Sequence, residues 1–362
     1  MIICNDCFAD SEIRSRIESH SKKGYCDFCK KQSLYTYDTE EDEYLKGVFD
    51  GIIGIYTPVS ELPEGYDTSR QTFLKHEIKS VWNIFSNLSE NQINDILKIM
   101  ASELYQENSA LFDSPIINTY LDDTDYLKEN SMLCGCDWNQ FVEALKHENR
   151  FHTKYMNTKI LDVFCSYIRK TYKKGTKFYR GRVSSAKGFD IEHMGAPEPH
   201  QASEGRANSS GIRRLYLAND EETTIHEIRA GAFDYISIGC FELKEDITVV
   251  DLKMIDKISP IIEALDAVQY LINKEHLNKI NMEMGKALRR SDSPLDYVPT
   301  QYITDFIQAI THNGKKEYAG IEYQSTLNPN GYNLAIFDPS LFDCISVETY
   351  QVTELIYRKQ KT

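Results

Sequence analysis

Residues 205–230, GRANSSGIRRLYLANDEETTIHEIRA, decide how the chain is to be read. Arg206 stands in a loop of Gly, Ala and Ser, where small neighbours let a bulky ligand approach the backbone. A short apolar strand follows at Leu215, Tyr216 and Leu217. If the leucines face a core, alternation turns Tyr216 to the other side of the sheet, free to stack on a planar ring. A core-packed tyrosine with an exposed hydroxyl is the competing reading. Asn219 and Asp220 then turn the chain into a helix that carries Glu227. An arginine, a ring and a carboxylate are thereby expected on a strand edge and on the first turns of the next helix, where backbone N–H groups point outward. Such equipment suits a phosphate-bearing ligand.

Around this stretch the second half of the chain reads as α+β, with a mainly antiparallel, many-stranded sheet. Strand patterns run over 178–183, 215–217, 236–243, 247–252, 318–325, 332–337 and 342–349, ending with 352–357. Helices are predicted over 258–272, near 276–289 and over 301–312, the last stopped by Gly314. Arg180 and Arg182, in FYRGRV, share one side of their strand opposite Tyr179 and read as a phosphate clamp or a surface ladder of cations. Ser325 ends a strand before the Asn328-Pro329-Asn330-Gly331 turn, ordinarily the place of a turn-capping residue. No G-x-S-x-G elbow surrounds it, and His226-Glu227 lacks the second histidine of H-E-x-x-H. Ester hydrolysis by a triad and zinc proteolysis are both set aside.

The first half has a different character. Cys4, Cys7, Cys26 and Cys29 form C-x2-C-x18-C-x2-C, the spacing of a four-thiolate zinc site, with room for a short helix from Ser11 to Ser19 between the knuckles. With four cysteine ligands such a site has no open position for water, so its role is structural. Apolar stripes at Phe73, Leu74, Ile78, Val81, Phe85 and Leu88, and from Ile93 to Leu104 behind the Ser89/Gln92 capping box, predict core helices. Asp137 with Gln140, and Asn157, cap two more. Cys134 and Cys136 are too close and too isolated to complete another metal site. The polar segment near 150–157 sets the boundary, giving domains 1–155 and 156–362. Residues 1–150 hold 14 Lys+Arg against 27 Asp+Glu, a net −13 of the chain's −14, which argues against docking on a nucleic-acid backbone. No apolar run approaches the ~18 residues that span a bilayer, and MIICNDCFAD is not a secretory leader, so a soluble, cytoplasmic protein is expected.

The order Gly205-Arg206, Tyr216, Glu227 and, far downstream, Ser325 before an Asn-Pro turn resembles the RES domain, and FYRGR resembles the arginine-bearing strand that opens such domains. CNDCF and GYCDFCK are similar to the cysteine-bearing, HEPN-like N-terminal domain fused ahead of longer RES proteins. The resemblance implies an ADP-ribosyltransferase-like fold with a zinc-stapled helical N-terminal domain. It also implies an NAD+-consuming enzyme: an NAD+ glycohydrolase acting as a toxin or defence effector, with ADP-ribosyl transfer or phosphorolysis as variants on the same fold. Arg206 and Arg180 would hold the pyrophosphate or the nicotinamide-ribose side, and Tyr216 would cover the nicotinamide. Glu227 would stabilise the developing oxocarbenium charge, with Ser325 orienting it. The partners implied are NAD+, an antitoxin or regulatory protein, and a second copy of the chain, without membrane or nucleic acid. Relative to that family the chain inserts helix between about 253 and 316. Two readings compete: a HEPN-type ribonuclease marked by Arg14 and His20, which fall inside the zinc insert, and a silent nucleotide-binding sensor.

Overall fold

The computed structural model describes residues 1–33, 35–262, 265–286 and 293–356, and divides them into two compact units. The first comprises Met1–Ser131 with Lys257–Asn273, and the second Met132–Asp256 with Lys274–Thr362. Compactness thus separates the chain at 131/132 rather than near 155, and gives 257–273 to the first unit.

The first unit is helical. Asp10 caps the helix Ser11–Ser19 by accepting from the Ile13 amide, so the helix lies between the cysteine knuckles where the spacing predicts it. Ile13 and Ile17 are its buried face. The Ser89/Gln92 capping box opens Glu90–Met100, and Phe8, Phe49 and Phe85 stack at centroid separations of 5.0 and 5.7 Å to build the core. The predicted stripe from Phe73 to Leu88 is shorter than expected: an α-turn at Leu74–His76 passes into a π-turn at Glu77–Val81, and Phe85 and Leu88 lie beyond it. Asn83 and Asn87, both left-handed, end the helical path there.

The second unit carries an eight-stranded sheet. Its strands are β1 (Arg169–Tyr172), β2 (Lys177–Ser184), β3 (Leu215–Ala218), β4 (Tyr235–Leu243), β5 (Ile247–Asp251), β6 (Gly320–Gln324), β7 (Tyr332–Ile336) and β8 (Phe342–Gln351). They lie side by side in the order β8-β4-β2-β3-β7-β6-β5-β1, antiparallel throughout except for the parallel pair β5/β6. Seven strand expectations hold. β1 follows directly on the helix Thr158–Tyr167, and its adjacent cations Arg169 and Lys170, with no apolar alternation, conceal it in the sequence. Val352–Ile356 forms no strand, and Tyr357 lies outside the described residues.

One face of the sheet packs the core, with Phe178, Leu215, Leu217, Phe241, Leu334 and Ile336 among its members. Alternation then sends Tyr179, Gly181, Tyr216, Ala218, Asn333 and Ala335 to the opposite face. The helix Glu221–Ile228 lies there, and a Cβ on Gly181 would stand 2.6 Å from Thr224 Cγ2, so glycine sets how closely helix and strand approach.

The region 253–316 contains one long helix, Ala267–Gly285, where two were predicted; nothing between 273 and 276 breaks it, and 263–264 and 287–289 of those predictions lie outside the described residues. The following helix is Val298–Ala309, ending before Gly314 because Asn313-Gly314, both at positive φ, turn the hairpin Thr311–Lys316 instead.

Candidate functional site

Glu227 is the pivot of a cavity of about 450 Å³ on the helix-bearing face of the sheet. Arg206, Arg229 and Lys286 supply cations to its wall, Tyr179, Tyr216, Tyr297 and Tyr323 supply rings, and Arg180 borders it from β2. β2 and β3 share a single paired position, Tyr179 with Ala218, and both residues line the cavity.

The helix that carries Glu227 has only eight residues, so Glu227 falls in its last turn rather than its first. At the helix start, Asp220 fills the cap itself, accepting from the Thr223 amide at 2.6 Å. The expected cradle of free helix N-terminal amides is therefore absent from the cavity, and a carboxylate at a helix C-terminus faces the unfavourable end of the dipole. Two side-chain donors offset this. Ser325 Oγ donates to Glu227 Oε1 at 2.7 Å, and Asn333 Nδ2 donates to the same oxygen at 2.8 Å.

Ser325 both caps its turn and hydrogen-bonds Glu227. Its hydroxyl oxygen accepts from the backbone amides of Leu327 (3.3 Å) and Asn328 (3.1 Å), which folds the turn and commits the hydroxyl proton to Glu227. Asn328 Nδ2 reaches Thr223 Oγ1 at 2.9 Å, tying the turn to the helix.

The Arg206 loop is clipped from two sides. Gln301 Nε2 donates to the carbonyls of Gly205 and Asn208, each at 2.9 Å. The Tyr216 hydroxyl donates to Asn208 Oδ1 at 2.7 Å and accepts from the Ala207 amide at 3.2 Å. A Cβ on Gly205 would meet that hydroxyl at 2.9 Å, which accounts for the Gly-Arg pair. Tyr216 thus offers the cavity its ring while its hydroxyl is engaged rather than exposed, and burial pushes its pKa up to about 12. Arg206 itself donates to the Glu283 carbonyl at 2.8 Å, with its guanidinium 5.4 Å from the Tyr297 ring centre. The segment beyond 253 therefore builds part of the wall.

Arg180 and Arg182 share the face of Phe178, opposite Tyr179, as alternation requires. The Arg180 guanidinium donates to the Met194 carbonyl at 2.5 Å and to that of Gly195, and burial together with Arg182 pulls its pKa down to about 10. The sequence reading missed Asn333, Arg229, Gln301 and Lys286. Asn333 left a trace: asparagine is disfavoured in strands, yet it stands inside YNLAI. Arg229, left-handed at φ 50°, left none.

In the first unit the sulfurs of Cys4, Cys7, Cys26 and Cys29 all lie within 4.8 Å of one another, the hydrogen-bonded pairs at 3.5 to 3.7 Å. Four ligands at ~2.3 Å from one tetrahedral ion stand ~3.8 Å apart, so the donor set fits zinc. Burial pushes the Cys4 thiol up to about 11, a cost that a dication would remove. Arg14 and His20 do not form a joint site: Arg14 faces Asp6 at 3.9 Å and His20 faces Asp42 at 3.4 Å.

No helix among the described residues is long and apolar enough to cross a membrane. No curated protein and no solved structure matches the chain. Family models do: HEPN/RES N-terminal domain 1 matches residues 19–159, beginning after Cys4 and Cys7, and the RES domain matches residues 179–356, enclosing the whole cavity wall. The chain belongs to the RES domain proteins that carry a HEPN/RES N-terminal domain ahead of the RES domain.

Proposed function

We propose that the RES domain degrades NAD+ by cleaving the bond between nicotinamide and ribose, with water as acceptor, and that the protein acts as a toxin or defence effector. The observation that carries this reading is the Glu227 carboxylate, held through one oxygen by two donors, in a cavity whose wall also carries cations and tyrosine rings. Cations suit a pyrophosphate, and rings suit a nucleobase and a pyridinium. Arg206 is the principal pyrophosphate ligand; Arg180 contributes its charge from behind, its guanidinium being held by backbone carbonyls. Tyr216 covers the nicotinamide with its ring.

In the reaction the C1′–N bond breaks and its electron pair passes to the ring nitrogen, releasing neutral nicotinamide. Glu227 stabilises the positive charge that develops on the ribose, a term of the kind that is largest in low-dielectric sites. A water oxygen then bonds to C1′, and its proton leaves through Glu227 to solvent, giving ADP-ribose. Zinc at Cys4, Cys7, Cys26 and Cys29 is structural and takes no part. Chromatography of NAD+ incubated with the purified protein tests the reading: nicotinamide and ADP-ribose in equal amounts are expected. ADP-ribosylated protein or a phosphorylated ADP-ribose would move the acceptor from water, and intact NAD+ would favour a nucleotide-binding sensor.

A further inference from the structure

We infer that Asn333 is a positioning residue for Glu227, holding the carboxylate so that Oε1 is committed to the scaffold and Oε2 is presented to the cavity. Asn333 lies inside β7 between Ala218 of β3 and Tyr323 of β6, so neighbouring strands flank it on both sides. It is only 7% exposed, and its neighbour Leu334 belongs to the core on the opposite face. An amide in such a place costs stability unless its polar atoms find partners, and its Nδ2 finds Glu227 Oε1 at 2.8 Å.

The two donors on Oε1 come from different elements: Asn333 from the interior of a strand, Ser325 from the turn before it. Ser325 alone would leave the carboxylate free to swivel about a single contact. A second donor from the rigid sheet removes that freedom and selects which oxygen faces the cavity. The strand also ties this arrangement to the helix, because Asn219 at the helix entrance accepts from the Tyr332 amide at 2.7 Å, one residue before Asn333. Helix, turn and strand therefore agree on one orientation of Glu227.

This inference rests on the NAD+-cleaving reading, and its test separates the two. Asn333→Leu keeps the branched outline and removes the donor; Asn333→Asp keeps the shape and sets a second carboxylate against Oε1. In nicotinamide release, Asn333→Leu is expected to lower kcat about 10²-fold with KM changed less than about twofold, and Asn333→Asp to lower kcat further, while both melt cooperatively. A kcat retained in Asn333→Leu, or a loss confined to KM, overturns the inference. A second readout needs no turnover: the side-chain amide proton resonances of Asn333 in the full-length protein are expected to move when Glu227 is replaced by Gln, and resonances unchanged by that substitution overturn the inference as well. Wild-type protein that releases no nicotinamide, with those resonances still coupled to Glu227, would refute the proposed reaction and leave the positioning contact standing.

Discussion

A carboxylate in the last turn of a helix is held against the dipole by whatever donors surround it, and at Glu227 these are Ser325 and Asn333. Ser325 also closes its own turn through two backbone amides, so its replacement acts on both structure and chemistry. Ser325→Ala is expected to reduce kcat for nicotinamide release by about 10–100-fold while lowering stability by only about 1 kcal/mol, measured by steady-state kinetics beside urea unfolding. A loss of stability large enough to account for the lost turnover would assign Ser325 to the turn alone. At this scale Arg206, Tyr216, Glu227 and Ser325 were legible because each stands beside a local signal: a Gly-rich loop, an apolar alternation, a helix start and an Asn-Pro turn. The donors that complete the site were not legible. Asn333 and Gln301 act across more than ninety residues of chain, and no local pattern encodes such a partner.

The helix Glu221–Ile228 and β2 meet where a side chain would not fit, since a Cβ at Gly181 would stand 2.6 Å from Thr224 Cγ2 and 3.1 Å from Ile228 Cγ2. That spacing sets the depth of the cavity, because Gly181, Thr224 and Ile228 all line it. Gly181→Ala is expected to cost about 1–3 kcal/mol of stability, read by urea unfolding, and to lower nicotinamide release by displacing the helix that holds Glu227. Strand positions were well foreseen because seven of the eight strands alternate or run apolar between turn residues. The errors fell where a period is ambiguous. Arg169–Tyr172 carries no apolar alternation, and the unbroken helix Ala267–Gly285 reads in the sequence as two for want of a visible continuation. Gly314 reads in the sequence as a helix stop, although with Asn313 it turns a hairpin.

For the whole molecule, sequence order and compactness divide the chain differently. Lys257–Asn273 belongs with Met1–Ser131: the Tyr270 and Trp82 rings lie 6.0 Å apart at a tilt of 55°, and Asn273 Nδ2 donates to the Asn130 carbonyl at 2.9 Å. A boundary placed from polarity alone does not see a segment that returns to the first unit after a whole sheet has been built. Near the start of that unit the sulfurs of four cysteines lie within 4.8 Å of one another, and purified protein is expected to contain one zinc per chain. Stripping the metal with a strong chelator should lower the melting temperature of the protein, and an unchanged melting curve would show that the thiols pack without it. The account as a whole rests on Glu227 in the RES domain. Its most direct test is the rate of nicotinamide release from NAD+ by wild-type protein and by Glu227→Gln, which keeps the side chain's size and removes its charge. A fall of about 10³-fold or more in a variant that unfolds like the wild type is the predicted result. Equal rates in the two proteins would contradict it and place the chemistry elsewhere in the chain.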